Sequence, residues 1–130
     1  MAVVLDQQLQ ANLARYAELC AAAGYTVHVE RLPAILEQIV DFYQPVKLYM
    51  FGSLVRGDFT ADSDVDLLLI VPDAASQEQR NGLAAMRTKR GSGLAMDVLV
   101  YRQSRFNELK DMLSLVPGTA AEEGKVLYAA

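Results

Sequence analysis

The sequence predicts an α/β (α+β) fold: a small mixed sheet of three to five strands flanked by helices, with an extra helix at the N-terminus. Three observations carry this. Segments of helical and strand periodicity alternate without an internal repeat or a dividing linker. The run Val65–Val71 is almost continuously apolar and β-rich, the mark of a central strand covered on both faces. With 130 residues, 52% of them hydrophobic and only four prolines, the chain has the size and composition of one globular domain.

Leu5, Leu9, Leu13, Tyr16 and Cys20 recur at steps of four, four, three and four, one face of an amphipathic helix, with Gly24 placed to stop it. The remaining Ala-rich surface of that helix packs on the domain's own sheet or faces a partner. A second helix follows Pro33, with Leu32, Ile35, Leu36, Ile39, Val40 and Tyr43 at helical spacing, and Pro45 forces an exit. Val46–Phe51 then reads as a short strand stopped by Gly52. From Ser53 to Ser63 the chain is a turn-rich connection with room for one helical turn after Ser53.

Pro72 closes the strand Val65–Val71. Ser76 is read as the cap of a third helix reaching about Arg90, and Gly91, Ser92 and Gly93 turn the chain into a strand over Leu94–Tyr101. Ser104 starts a helix on which Phe106, Leu109, Leu113 and Val116 share a face, ended by Pro117 and Gly118. Thr119 and Glu122 stand at capping-box spacing before one last helical turn, Gly124, and a strand around Val126–Tyr128. The expected organisation is a single domain over 1–130, with 1–24 as the additional helix and 32–128 as the core.

A net charge of -4 argues against a protein that lives by wrapping a nucleic-acid backbone, since that affinity comes from clustered Lys and Arg. A local basic patch stays open. The start lacks the basic region of a secretory signal, and the longest apolar run is far below the roughly 18 residues of a membrane span. Cys20 has no internal disulfide partner and fits a reducing compartment, where it reads as a small core hydrophobe. A cytoplasmic location without membrane contact is therefore expected.

Chemistry concentrates between Phe51 and Leu68. Asp64 and Asp66, at i and i+2 where a strand opens, point to the same side because the strand side-chain period is two. Two such carboxylates repel, and a cation between them relieves the repulsion; Mg²⁺ takes carboxylate oxygens together with substrate phosphates. Asp97 interrupts a later apolar strand at an interior position, where a lone buried charge is costly. If the two strands are neighbours, three carboxylates converge on one or two Mg²⁺ ions, the arrangement used for in-line displacement at phosphorus. Gly52 and Ser53 follow a strand end and precede a helical turn, so their amides and the serine hydroxyl face an approaching phosphate. Arg56 adds positive charge to that pocket.

The run from Leu48 to Val71, LYMFGSLVRGDFTADSDVDLLLIV, carries Gly-Ser, ten residues, then Asp-x-Asp. It resembles the nucleotidyltransferase superfamily with the DNA polymerase β-like palm, and within it the minimal nucleotidyltransferases of the MntA type. The resemblance extends from about Leu32 to Tyr128. It implies that Gly52 and Ser53 bind a triphosphate with Arg56 as a further contact, and that Asp64, Asp66 and Asp97 ligate Mg²⁺, Asp97 also taking the acceptor's proton. It also implies transfer of AMP from ATP, or of another nucleoside monophosphate, to a hydroxyl, with a helical HEPN-domain partner protein as acceptor in a toxin-antitoxin pair. A partner-binding module with little or no catalysis, and a small-molecule adenylyltransferase of the aminoglycoside type, are the alternatives. The extra N-terminal helix departs from the minimal branch and suggests a lid, a homodimer surface or a partner contact.

His28 reads as a structural or surface histidine. Asp58 and Asp62 resemble turn residues. Arg87, Lys89 and Arg90 read as a solvated helix end, where cations suit the dipole.

Overall fold

The structure, a computed structural model, describes residues 3–130; Met1 and Ala2 lie outside the described residues. Helix α1 (Gln7–Ala22) begins where the Asp6 carboxylate accepts the Leu9 N–H at 2.8 Å, filling one of the donors that a helix start leaves open. Helix α2 (Leu32–Tyr43) has Pro33 in its first turn, where the missing N–H costs nothing. Strand β1 (Lys47–Phe51) leads through Gly52 into a single helical turn, α3 (Ser53–Arg56). Strand β2 (Val65–Val71), helix α4 (Leu83–Thr88), strand β3 (Met96–Arg102), helices α5 (Gln103–Leu109) and α6 (Val116–Glu123) and strand β4 (Lys125–Ala129) complete the chain.

The four strands form one mixed sheet in the order β3-β2-β1-β4. β1 runs antiparallel to both β2 and β4, whereas β2 and β3 are parallel. A parallel pair cannot be joined by a tight turn, so the 72–95 connection, with α4 in it, crosses one face.

Strand alternation divides the side chains between two cores. Leu48 and Met50 of β1 and Leu67, Leu69 and Val71 of β2 pack with Leu9, Leu13 and Tyr16 of α1, Leu36 and Ile39 of α2, and Ala85 of α4. Tyr49, Leu68 and Ile70 form a smaller core on the opposite face with Phe106 of α5 and Ala120 of α6. The predicted apolar faces of the first two helices are buried, as is Cys20, and α1 packs on the domain's own sheet.

Three sequence expectations need correction. The predicted helix from Ser76 to Arg90 is two pieces: a 3-10 turn over Gln77–Arg80, closed by a capping box between Ser76 and Gln79, and α4. Extended backbone at Asn81 separates them, and its side-chain oxygen accepts the Leu83 N–H at 3.0 Å, a local bond that competes with helix continuation. Gly82 there lies so close to β3 that a Cβ would stand 2.7 Å from the Val98 carbonyl oxygen. The predicted helix from Ser104 to Val116 stops at Leu109, and Pro117 sits in the first turn of α6 instead of ending a helix. Leu113, expected on its buried face, is 61% exposed. Thr119 is accordingly inside α6, and its hydroxyl donates to the Leu113 carbonyl at 3.1 Å instead of capping. The first helix, expected within 1–24, spans Gln7–Ala22.

Candidate active site at one end of the sheet

Where β1 ends, β2 and β3 begin. Phe51 of β1 is the register partner of Asp66 of β2, and Asp66 in turn pairs with Asp97 of β3. Asp66 shares its side of β2 with Leu68 and Ile70, and Asp97 shares its side of β3 with Leu99 and Tyr101, so both acids extend the smaller core toward solvent. Helices α5 and α6 cover the apolar part of that face through Phe106 and Ala120. Asp66 is half-buried, whereas Asp64 and Asp97 are exposed. The expectation that Asp97 is interior and buried is therefore corrected: position 97 opens the strand at the sheet's end, and the apolar run behind it misleads.

Burial pushes the Asp66 carboxyl up to about 6, with the charges of Asp64 and then Asp97 adding to the rise and Arg56 opposing it. Asp64 and Asp97 thus both lie close enough to Asp66 to act on its carboxyl. Among the described residues no three His, Cys, Asp or Glu side chains are gathered into a ready-made metal cluster.

Gly52 connects β1 to α3 at φ 86°, the region that favours glycine. A Cβ there would collide with Oδ2 of Asp66. The turn and the acid strand can approach this closely only because position 52 has no side chain. The Ser53 hydroxyl donates to Oγ of Ser63 at 2.8 Å, and the same Ser63 oxygen accepts the Thr60 N–H at 2.9 Å. Arg56 lies at the rim, 3.3 Å from Asp58 Oδ1 and 3.5 Å from Glu123 Oε2 of α6.

Gly52, Ser53, Asp64, Asp66 and Asp97 thus come to one end of the sheet, with Arg56 beside them. Sequence reasoning missed Ser63, which joins the Gly-Ser turn to the strand carrying the acids. It also missed Asn12 and Tyr16 of α1. Asn12 Nδ2 donates to the Leu54 carbonyl at 2.8 Å, and the Tyr16 hydroxyl donates to the Ser63 carbonyl at 2.7 Å. The available signal was Asn12 itself, a polar residue between Leu9 and Leu13 on a buried helical face. The His28 side chain bonds to its neighbour Glu30, Nδ1 standing 3.0 Å from Oε1, while its backbone N–H donates to the Ser92 carbonyl at 2.8 Å. Asp62 and Asp58 stay exposed in the connecting loop, as turn residues do.

A mixed sheet that brings a Gly-Ser turn and acids from two adjacent strands to one end is the frame of a nucleotidyltransferase fold. The chain belongs to the nucleotidyltransferase domain family, whose pattern it matches over residues 32–126. Two solved structures share the fold. One is a protein of Sulfolobus solfataricus assigned to the nucleotidyltransferases, with a TM-score of 0.50 and 17% identity over 96% of this chain and 90% of its own. The other is a toxin-antitoxin solved with AMP-PNP, with a TM-score of 0.52 and 18% identity over 75% of this chain and 73% of its own. No curated protein sequence matches the chain significantly. Helix α1 lies outside the matched residues, and no helix among the described residues is long and apolar enough to cross a membrane.

Proposed function

We propose that the chain is a Mg²⁺-dependent nucleotidyltransferase that moves AMP from ATP onto a hydroxyl of a partner protein, as the antitoxin of a toxin-antitoxin pair with a helical HEPN-type partner. The observation that carries the transfer chemistry is the register Phe51, Asp66, Asp97, which sets the Gly-Ser turn beside acids of two strands. Family membership supports it. The partner reading draws support from the likeness to a toxin-antitoxin solved with AMP-PNP.

The residues fit a hard divalent cation. The donors of Asp64, Asp66 and Asp97 are all oxygens, the ligands Mg²⁺ takes. The carboxyl of Asp66 is held high partly by its two acidic neighbours, a repulsion that a cation relieves. Bound there, Mg²⁺ would supply charge neutralisation for the triphosphate and the departing pyrophosphate.

The chain's own residues do the rest. Main-chain amides at Gly52 and Ser53, the Ser53 hydroxyl and the Arg56 guanidinium hold and orient the triphosphate. The acceptor oxygen bonds to the α-phosphorus as the bond to the bridging oxygen of the β-phosphate breaks, and pyrophosphate leaves. Asp97, open to solvent, takes the proton of the acceptor hydroxyl.

The test is label transfer from α-³²P ATP with Mg²⁺ in host extract, comparing wild type with Asp64→Ala/Asp66→Ala and resolving products with and without RNase. The expected result is a labelled protein band with wild type alone. An RNase-sensitive product would move the acceptor to RNA, and absence of label in every fraction would defeat the catalytic reading.

A further inference from the structure

Helix α1 carries a row of donors at positions 12, 16 and 20, one turn apart on a single face. Each is buried, at 3%, 2% and 1% exposure, and each reaches a main-chain carbonyl of the segment bearing the site. Asn12 reaches Leu54, the residue after Ser53, and Tyr16 reaches Ser63, the residue before Asp64. The weaker donor Cys20 Sγ stands 3.7 Å from the Ala61 oxygen.

These carbonyls need outside partners. In α3 the Val55 and Arg56 amides bond to Gly52 and the Gly57 amide to Ser53, so its remaining carbonyls, Leu54's among them, gain nothing from so short a helix. The 57–64 loop belongs to no strand, and buried backbone oxygens outside a ladder are costly unless bonded. The fixing extends along α1, since Gln8 Nε2 donates to Asn12 Oδ1 at 2.9 Å, leaving the amide of Asn12 anchored at both ends. Tyr16 is further wedged by the Phe59 ring, edge-on at 6.4 Å. A helix that only filled the core would carry apolar side chains here, as it does at Leu9 and Leu13, because burying an amide yields nothing without its bond.

We infer that Asn12 and Tyr16 are positioning residues for nucleotidyl transfer, which makes α1 a working part of the site that sets the Gly52–Ser53 turn against Asp64 and Asp66. The inference rests on the transfer reading above. Asn12 acts on the turn that holds the triphosphate, and Tyr16 acts on the strand start that carries the acids. The two losses therefore differ. Asn12→Leu raises KM for MgATP, and Tyr16→Phe lowers kcat with KM nearly unchanged, each by about 10-fold or more, the scale on which small misplacements slow a reaction.

The experiment measures steady-state label transfer and amide hydrogen exchange on the full chain for wild type, Asn12→Leu, Tyr16→Phe and Ile39→Val, a core truncation on α2. The expected result is the KM and kcat split, together with exchange of amides 53–64 accelerated by about 10-fold in the two α1 variants, while Ile39→Val leaves both readouts as in wild type below its melting temperature. Wild-type kinetics and wild-type exchange in folded Asn12→Leu and Tyr16→Phe would overturn the inference. A wild type that transfers no label overturns the transfer reading instead, and the exchange arm then still decides whether α1 fixes the turn and loop.

Discussion

The two faces of the sheet are built unequally. One carries α1, α2 and α4 over a continuous core that runs from Leu9 to Leu127. The other carries two short helices whose Phe106 and Ala120 meet Tyr49, Leu68 and Ile70 of the sheet, and its acidic end is left open to solvent at Asp64 and Asp97. Stability and chemistry are thereby separated: apolar burial is concentrated behind the sheet, and like charges that work against folding stand in front. The hydrogen bonds of Asn12 and Tyr16 pass from the stable face to the segments that bear the site.

The largest effect expected from this division is functional. Asp66→Ala should reduce nucleotidyl transfer by at least about 100-fold while the protein melts no lower than wild type, as compared by label transfer and calorimetry. A parallel loss of fold would show that the acid end contributes to stability and would break the comparison. Next in size, truncation on the thick face, Leu36→Ala, should cost about 2–5 kcal/mol in urea unfolding, whereas Leu113→Ala in the exposed α5–α6 connection should change stability by less than about 0.5 kcal/mol.

Asp66→Asn sharpens the contrast through pH. The folded carboxyl is raised from 3.8 to about 6, so the native state holds its proton more tightly than the unfolded chain does. Its favourable contribution is complete below the unfolded value of 3.8 and is lost as pH rises through about 6. At pH 7 the asparagine variant should therefore be more stable than wild type, by about 1–2 kcal/mol after allowance for solvent screening of a half-buried group. The gain should vanish near pH 4. Mg²⁺ should raise the melting temperature of wild type at pH 7 and do so much less for Asp66→Asn. Equal stability of the two proteins at both pH values would remove the argument that the front face carries repulsion.

The smallest effect expected is at the rim. Arg56→Ala should weaken transfer by about 10-fold with a stability change under about 1 kcal/mol, because its partners Asp58 and Glu123 are exposed. Denaturant midpoints and initial rates on one preparation would check both halves.

The fold was legible wherever a periodic apolar pattern coincided with real burial. The first two helices follow from spacing, and β1 and β2 from short apolar, β-rich runs that the structure buries. The second half of the chain was less legible because spacing there imitates continuity: Phe106, Leu109, Leu113 and Val116 fit one helical face, yet the chain breaks between Leu109 and Val116 and leaves Leu113 in solvent. Proline was ambiguous for a related reason, since Pro117 suits a helix start as well as a stop. Within the site, Asp97 was legible only as a charge in a separate apolar strand and its burial was misread, whereas Gly52, Ser53, Asp64 and Asp66 were legible from a motif local in sequence. Ser63 was not, because its role depends on a hydroxyl pair across ten residues, and Asn12 and Tyr16 act over 42 and 47. Only the fold makes such contacts visible.

The parallel pairing of β2 with β3 bears on how the molecule comes into being. β1 and β2 are joined by the 52–64 connection that holds α3, but Asp97 reaches Asp66 only after the longer 72–95 crossover has been laid down, and β4 must return to β1 across most of the chain. Contacts of such sequence separation form slowly, since the entropy of closing the loop is spent before any contact repays it. On a chain emerging from the ribosome, α1, α2 and the β1–β2 pair can therefore consolidate before Asp97 reaches Asp66, with α5, α6 and β4 following. By the same measure β4 closes on β1 last, and a chain still short of β3 carries the Gly-Ser turn, Asp64 and Asp66 without Asp97.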